Sequence, residues 1–340
     1  MKISLSDAMN AATRLSQSRL IQPNRLTEAS ASLQRLLDGV RLRASETVRA
    51  PGTASSTGRD AGQFLSRTFG NQAGSRPYKL YIPSGYHGQP VLLIVMLHGC
   101  TQSPDDFAAG TRMNLAAEAQ TCLVAYPGQT SAANAQKCWN WFNAGDQRRD
   151  GGEPSLIAGI TRQIMRDYAV DPARVYVAGL SAGGAAAAIM GHAYPELYAA
   201  VGVHSGLACG AARDMQSALA VMRTGGGGPA RLAEQRVVPA IVFHGQRDTT
   251  VNPRNGDAVV AQVVDSTVYT KRQEDGQVPH GHGYSRILYF NAAGAVVVEK
   301  WMVQGAGHAW FGGSPAGSYT DPKGPDATQE IMRFFLAHPR

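Results

Sequence analysis

No apolar run in the 340-residue sequence approaches the roughly 18 residues that a membrane-spanning helix requires, and the longest run, residues 91–97, has the length of a strand. Charged residues make up only 17% of the chain, whereas hydrophobic residues make up 44%. This composition supplies enough apolar side chains for a large core and too little charge for disorder. The sequence therefore excludes an integral membrane segment, a coiled coil and a disordered scaffold, and it predicts a globular protein.

Cysteine is scarce and shows no metal-binding spacing. The four cysteines, Cys100, Cys122, Cys138 and Cys209, form no Cys-x-x-Cys pair and no cluster with histidine. These spacings exclude a zinc site and a dense disulfide framework. Cys100 and Cys138 fall in two loops that should approach the same site, so a disulfide between them is an alternative that the sequence leaves open.

Runs of basic residues are absent as well, although the net charge is +7. Residues 1–75 hold ten basic and five acidic side chains, so most of the excess lies there. The arginines are spread singly and accompany no recognised module, so we expect no nucleic-acid partner.

The first 17 residues also lack the apolar core and the small-residue cleavage site of a signal peptide, which taken alone favours a cytoplasmic protein.

The chain divides into three predicted parts. Apolar residues recur at helical spacing in residues 5–20 and 26–40, so residues 1–43 are predicted to form a short helical appendage. Residues 44–63 are rich in Ser, Thr, Gly and Ala without periodicity and predict a flexible linker. Residues 64–340 change in character and predict one larger domain.

Within the larger part, short apolar runs alternate with helical patterns. The runs from residue 91 onward are near-continuously apolar, which is typical of parallel strands covered on both faces. This alternation predicts an α/β fold with a mostly parallel sheet and helices on both faces. The predicted strands are residues 64–69, 78–82, 91–97, 122–126, 175–178, 200–204, 240–244, 284–291 and 296–303, and the predicted helices are residues 105–120, 154–168, 183–193, 254–264 and 326–336.

The strongest chemical signal is the pentapeptide 179–183, Gly-Leu-Ser-Ala-Gly, which follows a predicted strand and precedes a predicted helix. A sharp turn between these elements would push the hydroxyl of Ser181 out at the top of the sheet, and small neighbours would let the backbone pass closely. The helix N-terminus would then lie beside developing negative charge. The pattern therefore predicts Ser181 as a nucleophile rather than as part of an ordinary Gly/Ser turn.

A serine needs a base and a group that orients the base. Asp248 follows the predicted strand 240–244, and His308 lies in a glycine-rich loop after the predicted strand 296–303. The chain order Ser181, Asp248, His308 is that of α/β-hydrolases, and each residue follows a strand, where such sheets place their sites. We therefore expect His308 to accept the serine proton and Asp248 to orient His308.

Other acidic and histidine side chains could compete for these roles. Asp257 and Asp265 fall in or after the next predicted helix, and we expect them to be solvated or to cap the helix. His204 and His244 end predicted strands, and we expect both to be buried and hydrogen-bonded near the site. His308 is therefore the predicted base.

A second pair of histidines has a spacing that resembles a metal-binding pair. His280 and His282 lie in a polar Gly/Pro stretch with no third ligand in view, which predicts a solvated loop rather than a metal site. Triad chemistry needs no metal and no organic cofactor. We therefore expect neither.

The tetrahedral intermediate of acyl transfer needs hydrogen-bond donors for its oxyanion. The N–H of Ala182, next after the nucleophile, is predicted to supply one donor. The loop 98–102, His-Gly-Cys-Thr-Gln, follows an early strand, and we assign the second donor to the N–H of Cys100. Gly99 would permit the close approach, and His98 is expected to anchor the loop.

Five motifs follow one another in a fixed order along about residues 64–338. They are Leu-His-Gly-Cys-Thr-Gln (97–102), Cys-Trp-Asn-Trp-Phe (138–142), Gly-Leu-Ser-Ala-Gly-Gly (179–184), His-Gly-x-x-Asp (244–248) and Gly-His-Ala-Trp (307–310). Together they resemble the polyhydroxybutyrate depolymerase family of esterases. The resemblance implies an α/β-hydrolase fold and a carboxylic ester hydrolase without a cofactor, whose partner is its ester substrate.

The same resemblance implies roles for particular residues. Ser181, Asp248 and His308 take the triad roles, and Trp310 and Trp139 would contact an acyl or polymer chain. The sequence shows neither the signal peptide nor the separate substrate-binding domain that secreted polymer-degrading members usually carry. The expected substrates are poly(3-hydroxybutyrate) or its oligomers and other short hydroxyalkanoate esters, and these two absences favour the soluble oligomers and small esters over crystalline polymer. The family itself favours an extracellular location.

Two alternative functions remain open from the sequence. Feruloyl and acetylxylan esterases are grouped with this family, so a carbohydrate esterase with the same triad is the first. The second is a non-catalytic protein that uses a hydrolase fold and its N-terminal helices to dock on granules or a membrane. The intact elbow and all three triad positions argue against the second alternative.

Overall fold

The computed structural model describes residues 62–226, 236–264 and 268–340. A mixed sheet crosses this part of the chain, which belongs to a unit spanning Asp60–Arg340. Its strands are β1 (Gln63–Asn71), β2 (Gly74–Ile82), β3 (Val91–Leu97), β4 (Leu123–Pro127), β5 (Val170–Leu180), β6 (Ala200–His204), β7 (Ala240–Gly245), β8 (Thr270–Gln277), β9 (Gly283–Phe290) and β10 (Val296–Val303). They are ordered β1-β2-β4-β3-β5-β6-β7-β10-β9-β8.

The central strands of the sheet are parallel, as the apolar runs predict. β3 pairs in parallel with β4 and β5, and the parallel pairing continues through β6, β7 and β10. Antiparallel pairs occur only towards the two edges, where β1 pairs with β2, β2 with β4, β8 with β9 and β9 with β10. Every residue of β3, β4, β6 and β7 is buried, because helices cover both faces of this region.

Seven helices of the described chain flank the sheet. They are α1 (Pro104–Thr111), α2 (Met113–Gln120), α3 (Gly152–Asp167), α4 (Ala182–Ala193), α5 (Met215–Thr224), α6 (Arg254–Val263) and α7 (Ala327–Leu336), and a short 3-10 turn covers Ala144–Gln147. Successive side chains of β3 point to opposite faces, so the strand contributes to two apolar clusters. One cluster holds Leu93, Val95 and Leu97 with residues of α3, α4, α5 and α6, and the other holds Leu92, Ile94 and Met96 with residues of α1, α2 and α7.

The prediction of one continuous helix over residues 105–120 is wrong. The chain breaks at Arg112, whose φ of 57° and ψ of 23° lie in the left-handed region, and two helices result. The Arg112 guanidinium donates a hydrogen bond to the carbonyl of Gly312 and pairs with Asp326 at 3.4 Å. A contact with a distant part of the chain therefore holds a bend that no local pattern indicates.

Among the longer elements, one helix and one strand were not predicted. α5 begins at a reciprocal capping box, in which the Asp214 side chain accepts the N–H of Ser217 and the Ser217 side chain accepts the N–H of Asp214. β8 reads Thr-Lys-Arg-Gln-Glu-Asp-Gly-Gln and is mostly exposed, so it lacks the apolar alternation by which strands are recognised. Its pairing with β9 alone defines it as a strand.

Some predictions fall on residues that the structure does not describe. The two helices of residues 1–43 and the linker of residues 44–63, apart from its last two residues, lie outside the described residues, as does Asp265. The boundary at residue 64 stays a prediction. Among residues 62–226, 236–264 and 268–340, no helix combines the length and the apolar character that crossing a bilayer would need.

Candidate active site

Ser181 occupies the turn between β5 and α4, where the sequence predicts it. Its φ of 58° and ψ of −120° lie in a backbone region that residues other than glycine rarely adopt. Two glycines make the turn feasible, since a Cβ on Gly179 would overlap the carbonyl of Gly183 and a Cβ on Gly183 would overlap that of Leu97. A strand and a helix on either side maintain the strain, which is the geometry of a nucleophile elbow.

His308 and Asp248 lie close together because they follow two neighbouring parallel strands of the sheet. Asp248 follows β7 and His308 follows β10, and the Nδ1 of His308 donates to Oδ2 of Asp248 at 2.7 Å. The other carboxylate oxygen, Oδ1, accepts the N–H groups of Thr250 at 2.9 Å and Val251 at 2.8 Å. With its Nδ1 committed to Asp248, the imidazole of His308 has Nε2 available as a proton acceptor.

The carboxyl of Asp248 is held in its charged form. Burial raises its pKa, but the charge of His308 and the hydrogen bonds from His244 and His308 more than offset this effect, so the pKa lies well below its usual range. His244 lies beneath the pair, where its Nε2 donates to the carbonyl of Val251 at 2.8 Å and lies 3.5 Å from Oδ2 of Asp248. His244 is thus buried and hydrogen-bonded, as expected from the sequence.

His204 connects the nucleophile to the loop that carries His308. We call residues 304–311 the base loop. The carbonyl of His204 accepts the N–H of Ser181 at 2.9 Å, and its Nε2 accepts the N–H of Phe311 at 3.2 Å. Burial, together with the charges of His244 and His308, holds the pKa of His204 well below its usual value. His204 therefore stays neutral and acts as a hydrogen-bond acceptor.

The two proposed oxyanion donors belong to segments that adjoin Ser181. Ala182 is the first residue of α4, so its N–H belongs to the set that a helix leaves without an internal acceptor. A Cβ on Gly99 would lie 3.6 Å from the Cβ of Ser181, which places the loop of residues 98–102, the oxyanion loop, directly beside the nucleophile. Among the described residues, neither the N–H of Ala182 nor that of Cys100 has a hydrogen-bond acceptor.

His98 anchors the oxyanion loop, as predicted. It is fully buried, its Nδ1 donates to the carbonyl of Gly99 at 2.7 Å, and its Nε2 accepts the N–H of Gln129 at 3.0 Å. Burial lowers the pKa of His98 to about 4, so the ring is neutral and can accept this bond. Its carbonyl accepts the indole N–H of Trp139 at 3.1 Å.

A disulfide completes the support of this loop. Cys100 and Cys138 are joined, which settles the alternative that the sequence leaves open. The N–H of Thr101 also donates to the carbonyl of Gln136 at 2.6 Å. The segment of residues 129–143 therefore holds the oxyanion loop from one side, through one covalent bond and several hydrogen bonds.

Sequence reasoning missed the residue that holds this segment in turn. Glu153, in the first turn of α3, is buried and accepts hydrogen bonds from the N–H of Asn140 at 2.7 Å, its Nδ2 at 2.8 Å, and the side-chain amide of Gln129. Arg76 pairs with it at 3.3 Å. Burial raises the pKa of Glu153, and the hydrogen bonds and the Arg76 charge offset only part of that rise. An acidic residue in a first helical turn is common, so no sequence signal marks it.

The two tryptophans predicted to touch substrate are core residues. Trp310 is 1% exposed, stacks on His204 with ring centroids 5.0 Å apart, and donates its indole N–H to Thr328 Oγ1 at 3.0 Å. Trp139 is fully buried beneath the oxyanion loop. Their burial does not support direct contact with a substrate chain, because a strand-to-loop position near the catalytic residues indicates proximity but not which side of the loop a ring occupies.

The other histidine and acidic residues considered from the sequence show no arrangement for catalysis or metal binding in the described part of the chain. His282 Nε2 contacts Oδ2 of Asp321 at 2.9 Å, His280 is exposed, and Asp257 pairs with Lys300. Within the described ranges, no group of three or more His, Cys, Asp or Glu side chains is arranged to hold a metal ion. Cys122 and Cys209 are buried free thiols.

Comparison with known proteins adds to this geometry. Residues 76–273 match the model of a family described as Esterase PHB depolymerase, where PHB is polyhydroxybutyrate. The chain belongs to this family. The matched region begins in β2 and includes the elbow, the oxyanion loop and Asp248, and the resemblance inferred from the motifs is thereby confirmed.

Curated relatives and solved structures agree with this placement. Poly(3-hydroxyalkanoate) depolymerase C of Paucimonas lemoignei is 31% identical over 71% of this chain, which spans 60% of that protein. An acetylxylan esterase of Coprinopsis cinerea is 27% identical over 73% of this chain and 69% of that protein. The solved acetyl xylan esterase from Aspergillus awamori superimposes with a TM-score of 0.63 at 18% identity, over 82% of this chain and 99% of that chain. The last likeness concerns the fold alone and confirms the predicted α/β-hydrolase architecture.

Proposed function

We propose that the chain is a serine esterase that hydrolyses carboxylic esters, with oligomers of 3-hydroxybutyrate and other short hydroxyalkanoate esters as substrates. The observation that carries the proposal is the strained Ser181 at its elbow together with the 2.7 Å hydrogen bond between His308 and Asp248. Membership of the PHB depolymerase family and the 31% identity to a polyhydroxyalkanoate depolymerase support the substrate class.

The first half of the reaction forms an acyl-enzyme. Oγ of Ser181 attacks the ester carbonyl carbon while Nε2 of His308 takes the hydroxyl proton, and the carbonyl π electrons move to the oxygen. The N–H groups of Cys100 and Ala182 donate to this oxyanion. When the intermediate collapses, the alcohol leaves with the proton from His308. Asp248 stays ionised throughout and stabilises the imidazolium.

The second half releases the acid. A water molecule gives its proton to Nε2 of His308 as it attacks the acyl carbon, and the same two N–H groups hold the second oxyanion. Collapse returns the proton to Ser181 and frees the carboxylic acid. The sequence of steps uses no metal and no organic cofactor, and its only partners are the ester and water.

The decisive experiment compares the wild type with Ser181→Ala on 3-hydroxybutyrate oligomers and p-nitrophenyl esters. The expected result is a fall in kcat of about 10⁴-fold or more, because loss of the nucleophile removes the covalent route. Ser66→Ala, at an exposed position on β1, is the matched control and should keep full activity. Equal turnover by the wild type and Ser181→Ala would refute the catalytic assignment and favour a non-catalytic binding protein.

A carbohydrate esterase is the second candidate function. It is supported by the acetylxylan esterase of Coprinopsis cinerea, since this chain covers 69% of that relative's length. The triad and the oxyanion hole would act identically on an acetyl or feruloyl group. Release of acid from xylan fragments, in the absence of turnover of hydroxybutyrate oligomers, would favour this candidate.

The disulfide is relevant to the cellular location of the protein. Disulfides persist in oxidising compartments and are rare in the cytosol, and the Cys100–Cys138 bond supports the oxyanion loop itself. We therefore favour an extracellular or periplasmic location over the cytoplasm. Mass spectrometry of the protein isolated from its native compartment under alkylating conditions would test this, since free Cys100 and Cys138 would contradict it.

A further inference from the structure

Among the Phe, Tyr and Trp side chains of the described residues, only Tyr319 is exposed, at 36% of its surface. It lies at the end of residues 312–319, which we call the bridge loop. This loop follows the two-residue strand Trp310–Phe311 and precedes its parallel partner Thr320–Asp321. The large apolar side chains elsewhere in the site are buried, so Tyr319 is the aromatic surface that remains available to a ligand.

The position of Tyr319 is fixed relative to the catalytic base. The carbonyl of Tyr319 accepts the N–H of Trp310, two residues after His308, at 2.7 Å. The N–H of Gly312 donates to the carbonyl of Asp321 at 2.8 Å. The bridge loop therefore leaves the base loop and returns directly beside it.

The other side of Tyr319 contacts the oxyanion loop. Its hydroxyl lies 3.2 Å from Oγ1 of Thr101, which itself donates to the carbonyl of Cys100 at 2.6 Å. Because the single Thr101 hydroxyl proton is used for Cys100, the Tyr319 hydroxyl is the donor to Thr101. Through Thr101, the Tyr319 hydroxyl is thus linked to Cys100, the residue whose N–H is proposed to bind the oxyanion.

A strained backbone and a set of side-chain hydrogen bonds keep the ring in this position. Tyr319 and Thr101 have φ values of 52° and 66°, in the left-handed region that residues other than glycine seldom adopt. Asp106 accepts the N–H and the hydroxyl of Ser318 at 2.9 and 2.6 Å, and the amide of Gln102 at 2.8 Å. One carboxylate therefore ties the bridge loop to the oxyanion loop, and the exposed ring is presented on a rigid support.

We infer that Tyr319 is a specificity-determining residue whose ring contacts the apolar chain of the substrate next to the scissile ester. This inference rests on the proposed function and deepens it. An ester with an extended chain, such as a hydroxyalkanoate oligomer, would cover the ring, whereas an acetyl ester would not reach it. Tyr319 would thereby supply the contact that Trp310 and Trp139, being buried, do not offer.

The test compares Tyr319→Ala and Tyr319→Phe on p-nitrophenyl acetate and on the tetramer of 3-hydroxybutyrate. Tyr319→Ala should raise KM for the tetramer about fivefold to tenfold, because an aromatic contact is lost, and should change kcat/KM for the acetate less than about twofold. Tyr319→Phe keeps the ring and should stay within about twofold of the wild type on both substrates. Leu115→Ala, at another exposed apolar position, is the matched control and should change neither.

Two results would overturn the inference. If both Tyr319 variants lower kcat equally on the acetate and the tetramer, the tyrosine only positions the oxyanion loop through its hydroxyl. If KM for the tetramer is unchanged in Tyr319→Ala, the ring makes no contact.

A binding measurement separates this inference from the proposed function. Calorimetric titration of the tetramer into Ser181→Ala and into the double variant Ser181→Ala/Tyr319→Ala does not depend on turnover. Weaker binding by the double variant would support the contact even if the wild type hydrolysed no ester, which would refute only the proposed function. Equal binding, or no binding to either protein, would refute the contact.

Discussion

Lowering the pH from 7 to 5 should destabilise the fold through two buried histidines. His98 and His204 are both fully buried, and in each case Nε2 accepts a backbone N–H, from Gln129 and Phe311 respectively. Burial lowers the pKa of His98 to about 4 and that of His204 well below its usual value. Protonation would place a hydrogen on the nitrogen that receives the bond, in surroundings that water does not reach.

The sign and the size of the effect follow from proton linkage. Below about pH 6.5 the histidines of the unfolded chain take up protons, whereas the folded chain keeps both rings neutral to far lower pH. The unfolded state then binds more protons, so the stability present above pH 6.5 is lost as the pH falls. Near pH 5.5 the difference is close to two protons, which gives about 2.5 kcal/mol per pH unit. For His98 alone the loss would reach about 3 kcal/mol when the pH has fallen through about 4.

Urea unfolding at 25 °C, repeated from pH 7 to pH 5, measures this slope directly. His98→Gln keeps an acceptor for the Gln129 N–H but cannot be protonated, so its slope should be lower than that of the wild type by about one proton. His87→Gln, at an exposed position, is the matched control and should leave the slope unchanged. A wild-type slope below about half a proton, or a His98→Gln slope equal to the wild type, would refute the reasoning.

Two further predictions concern the segment that supports the oxyanion loop. Cys138→Ser should lower kcat for ester hydrolysis about tenfold with little change in KM, because the N–H of Cys100 would no longer be held for the oxyanion. Steady-state kinetics beside Cys209→Ser, which removes a buried free thiol, would check this, and wild-type kinetics in Cys138→Ser would contradict it. Glu153→Gln should lower the free energy of unfolding by about 3 kcal/mol, since it leaves the charge of Arg76 buried without its partner. Urea unfolding beside Glu196→Gln, which breaks an exposed pair worth under about 1 kcal/mol, is the comparison, and equal losses would count against a special role for Glu153.

The central strands could be predicted because each of them is a near-continuous run of apolar residues, which indicates a strand buried on both faces. The predicted strands 91–97, 200–204 and 296–303 coincide with β3, β6 and β10 at both ends. Seven adjacent apolar side chains in β3, a run of strand length, favour a strand covered on both faces. The elbow could be predicted for a related reason, since its glycines meet a steric requirement set by the strand and the helix on either side. The triad roles themselves stay predictions until the variants are measured.

Features that depend on distant contacts could not be predicted. The bend at Arg112 is held by Gly312 and Asp326, and the burial of Glu153 depends on Arg76 and on the loop of residues 129–143. The burial of Trp310 could not be predicted either, because it depends on the pairing of a short strand with its partner, which turns the ring away from solvent. In each case the local sequence is compatible with several conformations, and a contact far along the chain selects one of them.

β8 was not predicted because its sequence is polar, and the same polarity affects association between copies of the protein. Among the described strands, β8 is the last of the sheet, and one row of its backbone donors and acceptors pairs with no other described strand. Lys271, Arg272, Glu274 and Asp275 lie along it, and most of its residues are exposed. A second copy that approached this edge would have to strip water from charged side chains before any backbone pairing could form. The ten-stranded sheet thus ends in a hydrated border that disfavours continuous sheets between molecules at high concentration.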